Sequence, residues 1–300
     1  MSIARVAWQS RVVSVCSLAA AIAVSACNVN AALEEVLEAR HLSSDLQVQF
    51  TKAADDSNLA VMADTDEAST TFASDARRRT AAAQKDADAL RPLLETLRFS
   101  EELKLLDQFR TRFSEYQKID AGILELAVEN TNLKAQRLSF GTSQDAVDAL
   151  SKSLQDLEST DDSKDSCRVR ALAARVVAHA REIQALQAPH IAQPDDGAMS
   201  KIEQRMSAAE MAARGDLKTL AEAVPPHLRP KVVAATTELD RLMEVNRQVI
   251  GLSRRNTNVR SLALALNQKR AAVAGCEEPL HALQQALAKR AYVGTRYSVR

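Results

Sequence analysis

The stretch from Glu125 to Gly141 reads ELAVENTNLKAQRLSFG, and the stretch from Gly251 to Asn267 reads GLSRRNTNVRSLALALN. Both place the tripeptide Asn-Thr-Asn between segments whose leucines recur at helical spacing. Asn and Thr side chains compete for backbone hydrogen bonds and therefore favour helix ends and turns. The two tripeptides thus predict the same helix-to-helix junction at two places in one chain.

The two junctions belong to a longer internal repeat with a shift of 126 residues. Residues 123–157 align with residues 249–283 without a gap. The identical positions, numbered in the first copy, are Leu126, Asn130, Thr131, Asn132, Leu138, Ala146, Val147, Leu154 and Leu157. A register kept over about ten helical turns indicates a duplicated structural unit rather than a chance tripeptide. Upstream, Met62–Glu67 resembles Ile191–Asp196, so we expect two repeats of four helices each.

The composition agrees with a chain of long helices. Of 300 residues, 46% are apolar but only 3% are aromatic, and there are only 7 Gly and 7 Pro. Good helix formers dominate, whereas a sheet protein needs more β-branched, aromatic and turn residues. We therefore expect an all-α protein of two tandem antiparallel four-helix bundles, with residues 27–160 in the first bundle and residues 161–300 in the second.

Caps and breaks predict the helix boundaries. Ser100 precedes two acidic residues and an apolar stripe at steps of three and four, which is typical of a helix start. Pro225 and Pro226 end one helix before the next begins. The expected helices span about 31–63, 66–98, 100–129 and 131–158, then about 167–190, 195–223, 227–255 and 257–290. Because the connections are short, we expect neighbouring helices to be antiparallel.

The N-terminus is typical of an export signal. Arg5 and Arg11 precede an uncharged apolar run, Val12–Ala26. As a helix this run would be about 22 Å long, which is short for a hydrocarbon core of about 30 Å. A positive start, an apolar run of this length and small residues at its end predict a signal peptide at residues 1–26.

The end of this run, Val24-Ser25-Ala26-Cys27, resembles the lipobox of bacterial lipoproteins. The resemblance implies that Cys27 is lipidated and becomes the new N-terminus, on the periplasmic side of the bacterial envelope. Asn28, where an Asp would imply retention at the inner membrane, favours the outer membrane by the same resemblance. A plain cleaved signal and an uncleaved membrane anchor are the two alternatives.

Two cysteines remain for the mature repeats, Cys167 and Cys276. Cys167 lies near the start of a first helix and Cys276 well before the end of a fourth helix. First and fourth helices of a bundle are antiparallel neighbours, and the periplasm is oxidising. We therefore expect a disulfide between Cys167 and Cys276, and two buried free thiols are the alternative.

Charge and motifs argue against several function classes. Lys+Arg and Asp+Glu balance at 39 each, which leaves no net positive charge for holding nucleic acid. No Gly-rich phosphate loop, haem motif, zinc motif or nucleophile elbow is present, so we expect a non-catalytic protein without cofactor. His179 and His190 border a helix end, and we expect them to be solvated or to act as caps.

Two Glu-x-x-His spacings occur, Glu38 to His41 and Glu278 to His281. In di-iron bundles two such motifs point inward together with further Glu side chains. Here they fall in different repeats, and Pro279 interrupts the second motif. We therefore expect surface polar positions and no metal site.

The first repeat resembles the four-helix-bundle sensor domain of methyl-accepting chemotaxis proteins. The residues that carry the resemblance are Phe109, Phe113, Tyr116, Ile123, Leu124, Leu126, Asn130, Ala135 and Leu138. The second repeat is similar through Leu252, Asn256-Thr257-Asn258, Leu262 and Leu266. The resemblance implies an extracytoplasmic bundle that binds an amino acid or organic acid between its helices. The family's ligand-contacting arginines have no assigned counterparts in this sequence.

The sequence departs from that family because it shows no second apolar run of comparable length and no signalling coiled coil. We therefore expect a sensor-type bundle that binds a small ligand or docks on a membrane chemoreceptor in chemotaxis-like signalling, with a homodimer among its assemblies. The alternative is a structural envelope lipoprotein that makes protein contacts only. A third interpretation is a receptor fragment without ligand function.

Overall fold

The structure is a computed structural model that describes the main chain of residues 4–159 and 165–296. Side chains are described from residue 33 to residue 290 within those ranges, except residue 158. The side chains of the predicted signal peptide, residues 1–26, and of Cys27 therefore lie outside the described part. In the part that is described, no helix carries a stretch long and apolar enough to cross a membrane.

The described residues form helices and no strand, which confirms the all-α class. The predicted boundaries agree with the observed ones to within a few residues wherever a cap or a break defined them. The helices are α1 (Ala4–Met62), α2 (Asp66–Thr96), α3 (Ser100–Glu129), α4 (Thr131–Leu138), α5 (Gln144–Glu158), α6 (Ser166–Ala192), α7 (Asp196–Ala223), α8 (Arg229–Arg255), α9 (Thr257–Leu264) and α10 (Arg270–Arg296).

Each Asn-Thr-Asn tripeptide begins with a residue in the left-handed region. Asn130 has φ 51° and ψ 39°, and Asn256 has φ 53° and ψ 37°. Asn tolerates this conformation better than most residues. A single residue thus separates α3 from α4, because the N–H of Lys134 already donates to the Asn130 carbonyl at 3.0 Å. Asn256 separates α8 from α9 in the same way, so both predicted junctions are present.

A second irregularity repeats at the same shift. A π-helical turn, Ser139–Ser143, joins α4 to α5, and another, Ala265–Lys269, joins α9 to α10. Each residue of the first turn lies 126 positions before its counterpart, the same separation as Thr131 and Thr257. Because π-turns are rare, their coincidence in register supports the duplication predicted from the sequence.

The residues group into two compact units. Unit 1 comprises the chain up to Asn58, Phe72–Ala121 and the chain from Asn267, whereas unit 2 comprises Leu59–Thr71 and Gly122–Leu266. Unit 1 therefore takes three helices from the first repeat and its fourth, α10, from the second. The division differs from the bundles expected at 27–160 and 161–300, because the repeats have exchanged their fourth helices.

The physical reason for this exchange is the one-residue junction. A helical hairpin needs a loop of about two to five residues to reverse the chain, and Asn130 alone is too short. Accordingly, Leu150 and Leu154 of α5 join a core formed with α6, α7 and α8. Leu280 and Leu283 of α10 join the core formed by α1, α2 and α3.

The core of unit 1 contains an aromatic cluster. Phe50 of α1 lies edge-on to three rings of α3, with centroid distances of 5.9 Å to Phe109, 5.9 Å to Phe113 and 5.2 Å to Tyr116. Each such pair contributes about 0.5–1.5 kcal/mol beyond the area that it buries. The three rings of α3 belong to its predicted apolar stripe, and their contacts with Phe50 fix α1 against α3.

The two junctions meet within unit 2. The N–H of Thr131 donates to Oγ1 of Thr257 at 3.0 Å, and the N–H of Thr257 donates to Oγ1 of Thr131 at 3.2 Å. Asn132 and Asn258 repeat the exchange, each N–H donating to the other's Oδ1 at 3.2 Å. The first N–H groups of a helix lack partners within that helix. We call this arrangement the junction crossing, in which α4 and α9 cap each other.

Candidate functional site

A trough of about 800 Å³ lies between α3 and α10 of unit 1. Its residues recur every three or four positions, so they form one face of each helix. The polar and small residues of this face are Ser100, Lys104, Asp107, Gln108, Thr111 and Arg112 on α3, and Gly275, Glu278, Pro279 and Ala282 on α10. Its volume falls within the range of small-molecule sites, about 300–1,000 Å³.

Small residues on α10 bring the Arg112 side chain close to its backbone. A Cβ at Gly275 would lie 3.2 Å from Nη1 of Arg112, so a larger residue would push the guanidinium away. Pro279 has no N–H and leaves the carbonyl of Gly275 without its usual helical donor. The guanidinium of Arg112 therefore lies beside a turn of α10 that lacks one main-chain hydrogen bond.

The charges of the trough are only partly paired. Asp107 forms an ion pair with Arg91. Among the described side chains, Arg112, Lys104 and Glu278 have no oppositely charged group within ion-pairing distance. The trough thus offers two cationic groups on α3 and one carboxylate on α10 to an incoming molecule.

A second depression of about 650 Å³ continues the trough along the same two helices, and it includes Leu105 and Ala282. Its charges are already engaged. Nε of Arg290 lies 2.8 Å from Oε1 of the buried Glu102, and the guanidinium stacks 4.7 Å from the ring centroid of Phe99. The guanidinium at this end of the trough is therefore already paired, unlike the guanidinium of Arg112.

A buried lysine ends the second π-turn and belongs to unit 1. The Lys269 side chain is 2% exposed, and its Nζ donates to the Ala54 carbonyl at 2.9 Å and to Oδ1 of Asn58 at 3.1 Å. Oδ1 of Asp120 lies 3.3 Å from Nζ and accepts a bond from Ser57. Burial lowers the pKa of Lys269, and Asp120 partly offsets that effect. These groups form a polar layer inside an apolar bundle.

The equivalent layer in unit 2 is uncharged. The counterpart of Asp120 is Asn246, whose Oδ1 accepts a bond from Nε2 of Gln187 at 3.0 Å. The counterpart of Lys269 is Ser143, whose buried hydroxyl has no partner. Two equivalent positions of the repeat thus form a buried ion pair in unit 1, whereas in unit 2 one of them, Asn246, bonds to Gln187 and the other, Ser143, has no partner.

Unit 2 holds a buried histidine, His190, which we expected from its position near a helix end to be solvated or to act as a cap. His190 has no exposed surface, and its ring nitrogens lie 2.6 Å from Oγ of Ser253 and 2.8 Å from Oε1 of Glu203. Arg254 donates to both oxygens of Glu203, and this bond lowers the pKa of Glu203. The expectation was wrong because α6 continues to Ala192, and His190 lies on the buried face of this helix together with Gln187 and Ile191.

Ser253, His190 and Glu203 are the residue types of a hydrolytic triad, but their placement does not suit one. Ser253 is fully buried in the last turn of α8, and its hydroxyl also donates to the Val249 carbonyl at 2.8 Å. A nucleophile must reach its substrate. The network therefore joins α6, α7 and α8 and has no access for a substrate.

The predicted disulfide is not formed. Cys167 is an exposed free thiol in unit 2, and Cys276 is a buried free thiol in unit 1. The prediction assumed that α6 and α10 belong to one bundle, which the exchange of fourth helices prevents. Burial raises the pKa of the Cys276 thiol to about 12, so it stays protonated and unreactive near neutral pH.

The two Glu-x-x-His motifs both lie in unit 1. Nδ1 of His41 pairs with Asp45 at 2.7 Å, and Nε2 of His281 lies 2.7 Å from the amide nitrogen of Gln47. Within the part of the chain that the structure describes, no three His, Cys, Asp or Glu side chains are grouped to hold a metal ion.

The chain was also compared with known proteins. No protein-family model matches it, and no curated protein or solved structure shows significant similarity.

Proposed function

We propose that the protein is a non-catalytic, sensor-type binding module whose α3–α10 trough takes up a small amino acid or organic acid. One observation carries the proposal: the unpaired guanidinium of Arg112 and the unpaired carboxylate of Glu278 line one trough. A guanidinium binds a carboxylate through two parallel hydrogen bonds. A zwitterionic ligand would place its carboxylate at Arg112 and its ammonium group at Glu278.

A thermal-shift screen of the purified chain against amino acids, organic acids and aromatic acids tests this proposal. A ligand at 100 times its Kd should add about 2.7 kcal/mol to the free energy of unfolding. A reproducible, saturable shift identifies the ligand class. The absence of any saturable shift across the panel would reject ligand capture in the trough.

Variants locate the site. Arg112→Gln should abolish the shift for every carboxylate ligand, because it removes the charge without shortening the side chain much. Arg110→Gln is the matched control, since Arg110 lies on the same helix but pairs with Asp88 at 2.8 Å. Glu278→Gln should weaken the binding of amino acids and leave the binding of organic acids without an amino group unchanged. Equal effects of the changes at Arg112 and Arg110 would contradict the assignment.

A second candidate is docking of a partner helix, such as one from a membrane chemoreceptor. The α10 wall of the trough has small residues, Gly275, Ala282 and Ala286, which would let another helix approach closely. A complex that forms without any small ligand, and that Ala282→Glu disrupts, would favour docking. Such a complex would also fit the structural lipoprotein alternative, which a signalling readout separates.

We also propose that lipidation of Cys27 anchors the protein to the periplasmic side of the envelope, with the outer membrane favoured. The proposal is supported by the lipobox-like end of the apolar run. Metabolic labelling with a fatty-acid analogue tests it. Label that is absent, or that persists in Cys27→Ser, would reject it.

A further inference from the structure

An apolar pocket of about 300 Å³ opens beside the junction crossing in unit 2. It lies between the end of α1, the end of α6 and the first turns of α4 and α9. Its walls include Leu133, Phe140, Ala188, Ile191 and Val259. We call it the junction pocket. It shares no residue with the α3–α10 trough.

The pocket has no ionisable side chain among its lining residues. Its polar groups are the amides of Asn132, Gln136 and Asn258. Nδ2 of Asn132 is already bonded to the Ile191 carbonyl at 2.7 Å and to Oδ1 of Asn256 at 2.8 Å. Asn258 donates to Oδ1 of Asn130 at 2.7 Å. The floor of the pocket is therefore uncharged, and most of its amide groups already have hydrogen-bond partners. The exposed amide of Gln136 remains to orient a ligand.

Phe140 lies at the rim of the pocket and is 66% exposed, which is unusual for a phenylalanine. It belongs to the π-turn Ser139–Ser143, and single π-turns inside helices often occur at functional sites. The Phe140 side chain is not packed into a core, and a ring compound bound in the pocket would cover its exposed face.

We propose that the junction pocket binds a neutral, apolar ring compound of about the size of a bicyclic aromatic. A dry cavity of about 150 Å³ accepts benzene, so a pocket of twice that volume suits two fused rings. The lack of charge in the lining excludes carboxylates, because a buried carboxylate without a cationic partner is strongly disfavoured. The ligand class thus differs from the charged molecules that the trough would take.

Titration of the full chain with indole, followed by ligand-observed NMR and calorimetry, tests the proposal. Saturable binding with one site per chain is expected. Ala188→Leu should weaken indole binding at least about tenfold, because the added carbons occupy the pocket. Ala185→Leu is the control, since Ala185 is exposed on the same helix and outside the lining.

Two further measurements separate this pocket from the trough. Arg112→Gln should leave the indole affinity unchanged. In that variant, indole-3-acetate should bind at least about tenfold more weakly than indole, because the carboxylate finds no cation at the junction pocket. No saturable indole binding, or equal affinities of the variants at residues 185 and 188, would overturn the proposal.

Discussion

The hydroxyl oxygens of Thr131 and Thr257 lie 3.2 Å apart in unit 2, although 126 residues separate them in the chain. Each hydroxyl also accepts the other residue's main-chain N–H. Two copies of one junction thereby cap each other's helices, and each needs the other to satisfy its first turn. The duplication therefore has a structural role, because each junction needs the other to complete its hydrogen bonds.

We predict that Thr131→Val and Thr257→Val each lower the free energy of unfolding by about 1–3 kcal/mol. Each change removes an acceptor and leaves a buried N–H of the opposite helix unpaired. The double variant should lower the free energy of unfolding by less than the sum of the two single variants, because both residues belong to one hydrogen-bond network. Thr111→Val is the control, since the exposed Thr111 bonds only to the Asp107 carbonyl of its own helix. Denaturant unfolding measures all four.

The exchange of fourth helices predicts how the chain responds to cleavage. A protease site introduced at residues 161–164 should yield two fragments that stay associated under native conditions, since each unit contains helices from both. Two tandem bundles closed within their own repeats would instead elute as separate fragments. Size-exclusion chromatography and native mass spectrometry of the cut protein distinguish the two results, with the uncut chain as reference.

The buried pair of Lys269 and Asp120 should show strong coupling. Asp120→Asn leaves the buried ammonium of Lys269 without its carboxylate partner, and we expect a loss of about 3 kcal/mol in unfolding free energy. Adding Lys269→Met should recover most of that loss, because the volume is kept and the charge is removed. A double variant as unstable as the single Asp120→Asn variant would show that the pair is not the source of the effect.

The His190 network predicts a component of acid sensitivity. The Arg254 bond lowers the pKa of Glu203 below its ordinary value of 4.5, so the unfolded state takes up a proton first as the pH falls. The stabilising contribution is complete above that ordinary value and is lost as the pH falls through the folded-state pKa. It amounts to about 1 kcal/mol or less, because Glu203 is partly exposed.

Unfolding free energies measured between pH 6 and pH 3 test this prediction. The wild-type protein should lose more stability over that range than Glu203→Gln. Glu222→Gln, a change at an exposed position of the same helix, should keep the wild-type pH dependence. Parallel profiles for the wild type and Glu203→Gln would contradict the assignment.

Much of the fold could be predicted from particular residues. Ser100, the Asn-Thr-Asn tripeptides and Pro225 defined helix ends, because caps and breaks act locally. The partner of each fourth helix could not be predicted in this way. It depends on whether the chain reverses at Asn130, which is decided by loop length and by tertiary packing rather than by local preference.

The candidate site was less predictable. Arg112 has no motif around it, and it became a candidate only because the structure places it beside Gly275, which is distant in sequence. Lys269 is not marked by any motif in the sequence, and its burial at the end of a π-turn is seen only in the structure. A buried His190 was signalled only weakly, by its position on the apolar side of α6 beside Ile191.

Because each unit contains helices from both repeats, its helices must also assemble in a certain order. Gln284 bonds to the Ser43 carbonyl across 241 residues, and His281 lies against Gln47 across 234. The core of unit 1 therefore cannot close until α10, the last helix to be synthesised, has joined α1, α2 and α3. Long-range closure of this kind slows folding and leaves apolar surface open during synthesis. The helices α1, α2 and α3 therefore keep part of their apolar surface uncovered until α10 has been synthesised.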